Sequence, residues 1–169
     1  MKKILQIGSP VLRKKAEEAV LFEVKTSALL KILKEMKEAL DKSDDGVAIA
    51  APQIGYSKRI FLVADKIFDK KIKNIPRAYI NPKILKLSEE KVFLDEGCLS
   101  VRWKYGEVER ARKVVLQAYD EDGRKFKMEA SGLLAQIFQH EVDHLDGILF
   151  TDRAINLHKV EPKDLNTNG

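Results

Sequence analysis

The stretch Ser131-Gly-Leu-Leu-Ala-Gln-Ile-Phe-Gln-His-Glu-Val-Asp-His-Leu-Asp-Gly147 constrains this chain more than any other. Ser131 is a helix-start signal, and Leu133, Leu134, Ile137, Phe138, Val142 and Leu145 recur at helical spacing. Gly147 supplies a stop, so the spacing predicts one helix over 131–147. At about 3.6 residues per turn, His140 and His144 stand one above the other, where their ring nitrogens can converge on a single ion. In the H-E-x-x-H arrangement the two histidines bind a divalent metal. The glutamate, here Glu141, takes a proton from the activated water and passes it to the leaving group. A packing helix with a solvated His-Glu-Asp face accounts for the same letters without chemistry. Against that, the chain has 3 histidines, and His140 and His144 are two of them, at ligand spacing inside an otherwise apolar helix. A hydrolytic metal site still needs a third protein ligand, which the rest of the chain has to supply.

At 169 residues the chain reads as one domain, 1–169, and its 44% hydrophobic and 34% charged residues suit a soluble globular protein with a sizeable core. No window approaches the roughly 18 apolar residues of a membrane span. Met1-Lys-Lys leads into a strand-like Ile4-Leu5-Gln6-Ile7 rather than a signal core, so a cytoplasmic location without membrane attachment is expected. The single cysteine, Cys98, excludes an intramolecular disulfide and leaves a buried hydrophobe, a nucleophile or a metal ligand open. The net charge of +5 comes from scattered Lys and Arg without interleaved aromatics, which does not indicate a specific nucleic-acid surface.

Along the chain, Gly8-Ser9-Pro10 precedes a single helical turn over Val11 to Lys15. Thr26 or Ser27 caps a helix to about Leu40, with Leu29, Leu30, Ile32, Leu33, Met36, Ala39 and Leu40 on its buried side. Asp44-Asp45-Gly46 breaks it, and the small residues Val47 to Ala51 then lead to Pro52 and Gln53. That run suits either a tight loop or an edge along which an extended peptide lies, with Gln53 as a fixed donor. Arg59 to Ala64 reads as a buried strand, and Lys66 to Pro76 as a lysine-rich connection without chemistry. Tyr79 to Pro82 and Ile84 to Leu87 read as short strands split by proline. Val92 to Ser100 is a strand opening at Gly97, which places Cys98 in a turn. Val108 to Tyr119, the turn Asp120 to Gly123 and the alternating Lys125 to Ala130 form a hairpin feeding the helix, and strands without intervening helices favour antiparallel sheet.

Three stretches, Gly46-Val-Ala-Ile-Ala-Ala-Pro-Gln53, Glu96-Gly-Cys-Leu-Ser100 and Gln139-His-Glu-Val-Asp-His144, closely resemble in that order the three motifs of peptide deformylases. The resemblance extends from Gly8-Ser-Pro-Val-Leu-Arg13 through Tyr79-Ile-Asn-Pro82 and Val108-Glu-Arg110 to Gly147-Ile-Leu-Phe150. It implies an α+β fold, mostly antiparallel β-sheets around a central metal-binding helix carrying His140 to His144. It implies Cys98, His140 and His144 as ligands of one divalent metal, Fe(II) in the cell with Zn, Ni or Co able to occupy the site, and Glu141 as general acid and base. The implied substrate is the N-formylmethionyl nascent peptide, cleaved to release formate. The Gln53 amide and the Leu99 backbone N–H would stabilise charge on the formyl oxygen. Gly46 to Ala48 and Gly97 would hold the peptide backbone, and Val47, Leu94, Leu133, Ile137 and His140 would form the methionine pocket. Asp143 would orient a ligand histidine or pair with an arginine.

The chain departs from that pattern in three places. Ala48 stands where the first motif has a second glycine, which would be refused if the backbone there needs positive φ. Arg102 stands where bacterial members commonly have proline, followed by Trp103-Lys-Tyr105. The long basic terminal helix of many members is replaced by Thr151 to Gly169 with Pro162, so transient ribosome proximity rather than stable docking through a tail is expected; His158 reads there as a surface residue. A zinc peptidase sharing only H-E-x-x-H, a non-enzymatic peptide binder, and a deacylase for another N-acyl group are the rival readings.

Overall fold

The computed structural model describes residues 2–69 and 75–160. Its centre is a five-stranded antiparallel sheet in the order β1 (Ala48–Ala50), β2 (Ile60–Val63), β3 (Ala78–Leu87), β6 (Lys113–Tyr119), β7 (Lys125–Ser131). A second, three-stranded sheet has the order β4 (Lys91–Gly97), β5 (Lys104–Ala111), β8 (Ile155–Lys159). All pairings within both sheets are antiparallel, which agrees with the expected α+β class.

Two helices complete the fold, α1 (Ser27–Asp41) and α2 (Gly132–Leu145). β2 is buried on both sides, and its alternation assigns one helix to each: Ile60 and Leu62 pack with Met36 and Leu40 of α1, while Phe61 and Val63 pack with Phe138 of α2. Phe61 stacks on Tyr79 at 4.6 Å, and Phe138 meets Tyr79 edge-on at 5.0 Å, so three rings pin α2 to the sheet. α2 also contacts β5, and this places it between the two sheets.

Helix boundaries follow the start and stop residues closely. Thr26 accepts a hydrogen bond from the Leu29 N–H at 3.5 Å and caps α1. Of the expected buried face, Leu29, Met36, Ala39 and Leu40 are buried and Ile32 and Leu33 partly so, whereas Leu30 turns outward at 49% exposure and lines a groove between α1 and the end of β2. Ser131 occupies the N-cap of α2 without a side-chain bond. Gly147 adopts φ +75°, and a Cβ there would meet the Arg13 carbonyl oxygen at 2.6 Å, so only glycine lets the chain leave the helix against that backbone.

Three local expectations change. Pro82 does not split β3: the strand runs through a register shift between Ile80 and Lys83 that absorbs the missing N–H. Asn81, at φ 49°, clamps both the N–H and the carbonyl of Ala19 at 2.8 Å. Ile4 to Ile7 joins no sheet; its amides instead brace two loops, Leu5 N–H to Gln53 O at 2.8 Å and Ile7 N–H to Ser100 O at 2.7 Å. The segment that stands in place of a terminal helix after Thr151 contributes a strand, β8, paired with β5; Pro162 lies outside the described residues, as does the middle of the 66–76 connection. His158 is exposed on β8.

Candidate metal centre and active site

β4 ends at Gly97 and delivers Cys98 to the inner face of α2, where the helix presents His140 and His144. The Cys98 Sγ lies 3.1 Å from the His144 Nε2, and one donor atom from each of Cys98, His140 and His144 lies within 4.8 Å of the others. Burial by itself pushes the Cys98 thiol up, but the neighbouring charges of His144 and His140 outweigh it and bring the thiol down to about 5. A thiolate with two imidazoles is a donor set that fits one tetrahedral divalent ion and leaves a fourth position for a reactant. The residues present therefore fit a metal.

Behind Cys98, His140 and His144 is a charged layer of which the sequence marks Asp143 alone. The His140 Nδ1 is 2.9 Å from the Glu96 Oε2, and Arg110 grips both Glu96 oxygens at 2.7 and 3.0 Å. Burial would raise the Glu96 carboxyl, yet hydrogen bonds from His140 and Arg110 hold it down to about 2, so it stays ionised and fixes the imidazole. Arg110 also donates to Asp143 at 2.7 Å, and Arg153 reaches the other Asp143 oxygen at 3.3 Å. Asp143 thus takes the second of its two expected roles, pairing with an arginine. The signal for Glu96 and Arg110 was strand alternation: each is spaced by two from an apolar residue, Leu94 and Val108, on the inward face of its strand.

Glu141 is 4% exposed, and burial pushes its carboxyl up to about 7 despite the lowering effect of the two imidazoles. Its Oε2 and the His144 Nδ1 are the buried side-chain polar atoms without a hydrogen-bond partner among the described residues. An ionisable group kept unpaired in a buried position is costly, and such groups concentrate where chemistry needs them.

A cleft of about 260 Å³ opens beside Glu141 and His140. Gly46, Val47 and Ala48 line one wall, Gly97, Cys98 and Leu99 the other, and Gln53, Leu133 and Ile137 complete it. Ala48 sits in extended backbone paired with Val63, so its Cβ is accepted without strain. Gly97 admits no Cβ, which would fall 2.7 Å from the Tyr105 ring. Gln53 is 1% exposed; its Oε1 accepts from the Ala50 N–H at 2.8 Å, while its Nε2 points to the Ser100 Oγ at 3.0 Å and the Cys98 Sγ at 3.6 Å. Gln6 donates to the Leu99 carbonyl at 2.9 Å, tying that turn to the N-terminal segment. Leu133, expected in the buried stripe, is 53% exposed and forms the outer lip. Two of the expected residues lie off the surface of the cleft. His144 is 1% exposed behind it, and Leu94 is half-buried opposite Val108, one pleat away from Asp95 on the wall.

The pattern of the polypeptide deformylase family matches residues 1–160. The chain belongs to that family. It is 41% identical over 152 residues to a peptide deformylase of Pseudothermotoga lettingae, covering 90% of this chain and 82% of the relative. Among solved structures, it resembles a probable peptide deformylase from Synechococcus phage S-SSM7 (TM-score 0.80, 41% identity, 90% of this chain and 99% of that one). It also resembles a peptide deformylase from Acinetobacter baumannii with Met-Ala-Ser bound (TM-score 0.79, 34% identity, 89% and 96%). The family comprises metal-dependent hydrolases that remove formyl from N-formylmethionyl peptides. No helix among the described residues is long and apolar enough to cross a membrane.

Proposed function

We propose that residues 1–169 form a single peptide-deformylase catalytic domain in which Cys98, His140 and His144 hold one divalent ion, Fe(II) in the cell with Zn, Ni or Co able to replace it. The observation that carries this reading is the meeting of those three donors within 4.8 Å beside the buried, unpartnered Glu141. When bound, such an ion lowers the pKa of water and polarises a carbonyl.

Glu141 accepts the proton of the attacking water as the water oxygen bonds to the formyl carbon. It returns that proton to the methionine nitrogen as the C–N bond breaks, giving formate and a free amine. A carboxyl near 7 is matched to both transfers. The Gln53 Nε2–H and the Leu99 N–H donate to the formyl oxygen as charge builds on it. Ala50 anchors the far side of the Gln53 amide, so only its long 3.6 Å contact with the Cys98 Sγ has to give way. The peptide backbone adds to the open edge of β1 at Gly46 to Ala48 and runs past Gly97, an interaction independent of sequence. The methionine side chain fits among Val47, Leu133, Ile137 and the His140 ring; Leu94 is dropped from that pocket because it does not line the cleft.

The substrates are newly made peptides in the cytoplasm, met in transient proximity to the ribosome. The Met-Ala-Ser held by the Acinetobacter relative is of the product's class and supports this choice. Replacing Cys98→Ser is expected to abolish stoichiometric metal and formate release from formyl-Met-Ala-Ser together. Full metal content and activity in that variant would refute the assigned ligand set, and cleavage of internal bonds without preference for a formyl group would make the chain a peptidase.

A further inference from the structure

The two walls of the cleft are joined at its mouth as well as at its floor. Asp45 immediately precedes the Gly46 to Ala48 wall, and Arg102 belongs to the turn between β4 and β5 that follows the Gly97 to Leu99 wall. The Arg102 Nη1 donates to the Asp45 Oδ2 at 2.6 Å. The arginine is held on three sides. Its guanidinium lies 5.3 Å from the centre of the Trp103 ring, its backbone N–H reaches the Gln6 Oε1 at 3.4 Å, and Asp45 closes the third.

Trp103 has φ +65°, a left-handed conformation that a bulky residue rarely adopts. Its neighbours impose it: the Lys104 N–H bonds to the Val101 carbonyl at 3.3 Å and the Val160 N–H to the Trp103 carbonyl at 2.8 Å. Strain of this kind persists where the surrounding structure over-determines it, and it clusters at clamps and ligand sites. All three residues line the cleft.

We propose that the Asp45–Arg102 pair, seated on Trp103, is a clasp across the mouth of the cleft that holds the two walls at the width an extended peptide needs. The inference rests on the deformylase reading for the identity of the peptide. Asp45 and Arg102 touch no reacting atom; they are positioning residues that act through the β1 edge. An exposed ion pair contributes little to folding, so its effect falls on peptide affinity and is screened by salt.

Trp103 is the single tryptophan of the chain, so its emission reports the rim directly. Formyl-Met-Ala-Ser is titrated into the metal-loaded full chain carrying Glu141→Gln, with the clasp intact, with Asp45→Ala, with Arg102→Ala and with both. Each single change is expected to weaken binding about two- to fivefold, the double change no more than one single, and only the intact clasp to lose affinity with added salt. With Glu141 present, KM rises by the same factor at unchanged kcat. Equal affinities in all four, additive losses, or no saturable binding with the clasp intact would overturn the clasp. Clasp-dependent binding without formate release would leave the clasp standing and refute the deformylase reading; formate release with KM indifferent to the clasp would do the reverse.

Discussion

α1 and α2 are 15 and 14 residues long and cover opposite faces of the same sheet, yet they treat their polar residues in opposite ways. α1 sends Lys31, Lys34 and Lys37 to solvent and buries only apolar side chains. α2, wedged between two sheets, buries Gln139, Glu141 and His144 along with its apolar residues. Burying a polar group costs free energy unless it is paired, so each of these needs an explanation. Gln139 is fully paired, exchanging bonds with the Ala111 N–H and carbonyl and donating to the Ala135 carbonyl; it cements α2 to β5. Glu141 and His144 each keep one atom without a partner. The difference teaches where stability ends and function begins: the paired Gln139 holds the helix, whereas Glu141 keeps an unpaired oxygen beside the cleft and His144 turns its Nε2, not the unpaired Nδ1, toward Cys98.

The comparison breaks most readily through the layer that supports α2. Arg110→Ala leaves Glu96 and Asp143 without their shared cation in a buried place. It should lower stability by about 3–5 kcal/mol in denaturant unfolding, and it should also reduce metal affinity, since His140 loses its fixed carboxylate. A loss below about 1 kcal/mol would mean that the network is not structural.

A smaller effect sharpens the electrostatic side. Glu96 falls from 4.5 to about 2 on folding, a depressed carboxyl whose stabilisation is present above its unfolded value and is lost as pH falls through its folded one. Metal-free protein should therefore lose on the order of 3 kcal/mol between pH 4.5 and 2 on account of this group. Thermal or urea melts across that range should show the loss, and Glu96→Gln should flatten it. An unchanged acid limb in the variant would assign the dependence to other carboxyls.

The smallest effect belongs to α1. Thr26→Ala removes the N-cap and should cost about 1 kcal/mol with kcat unchanged, because nothing on α1 touches the cleft. A fall in kcat there would show that the two helices are coupled.

Much of this was legible because it depends on short-range patterns. Helical period and terminal residues located α1 and α2, and H-E-x-x-H gave the face of α2 on which His140 and His144 meet. Cys98 was findable only through the motif around it, since a lone cysteine after a strand is otherwise a common buried residue. What escaped depends on pairing across sequence distance. Glu96 and Arg110 are 14 residues apart, and their contact follows from a register that no local pattern fixes. Strand β8 escaped although Ile155 and Leu157 alternate with Asn156 and His158, because the run is only five residues long and all its side chains are exposed. Leu133 and Leu30 look apolar enough to be buried, but one forms the lip of a cleft and the other lines a groove between α1 and the end of β2.

The central claim is that a buried, unpaired Glu141 moves the proton for deformylation beside ligands drawn from β4 and α2. Formate release from formyl-Met-Ala-Ser, measured for the native chain and for Glu141→Gln at matched metal content, tests it most directly. The account predicts turnover by the native chain and a loss of about 10²- to 10⁴-fold in kcat for the variant, with its metal retained. A variant that turns over within about tenfold of the native rate would contradict it, and the proton would have to be moved by another group.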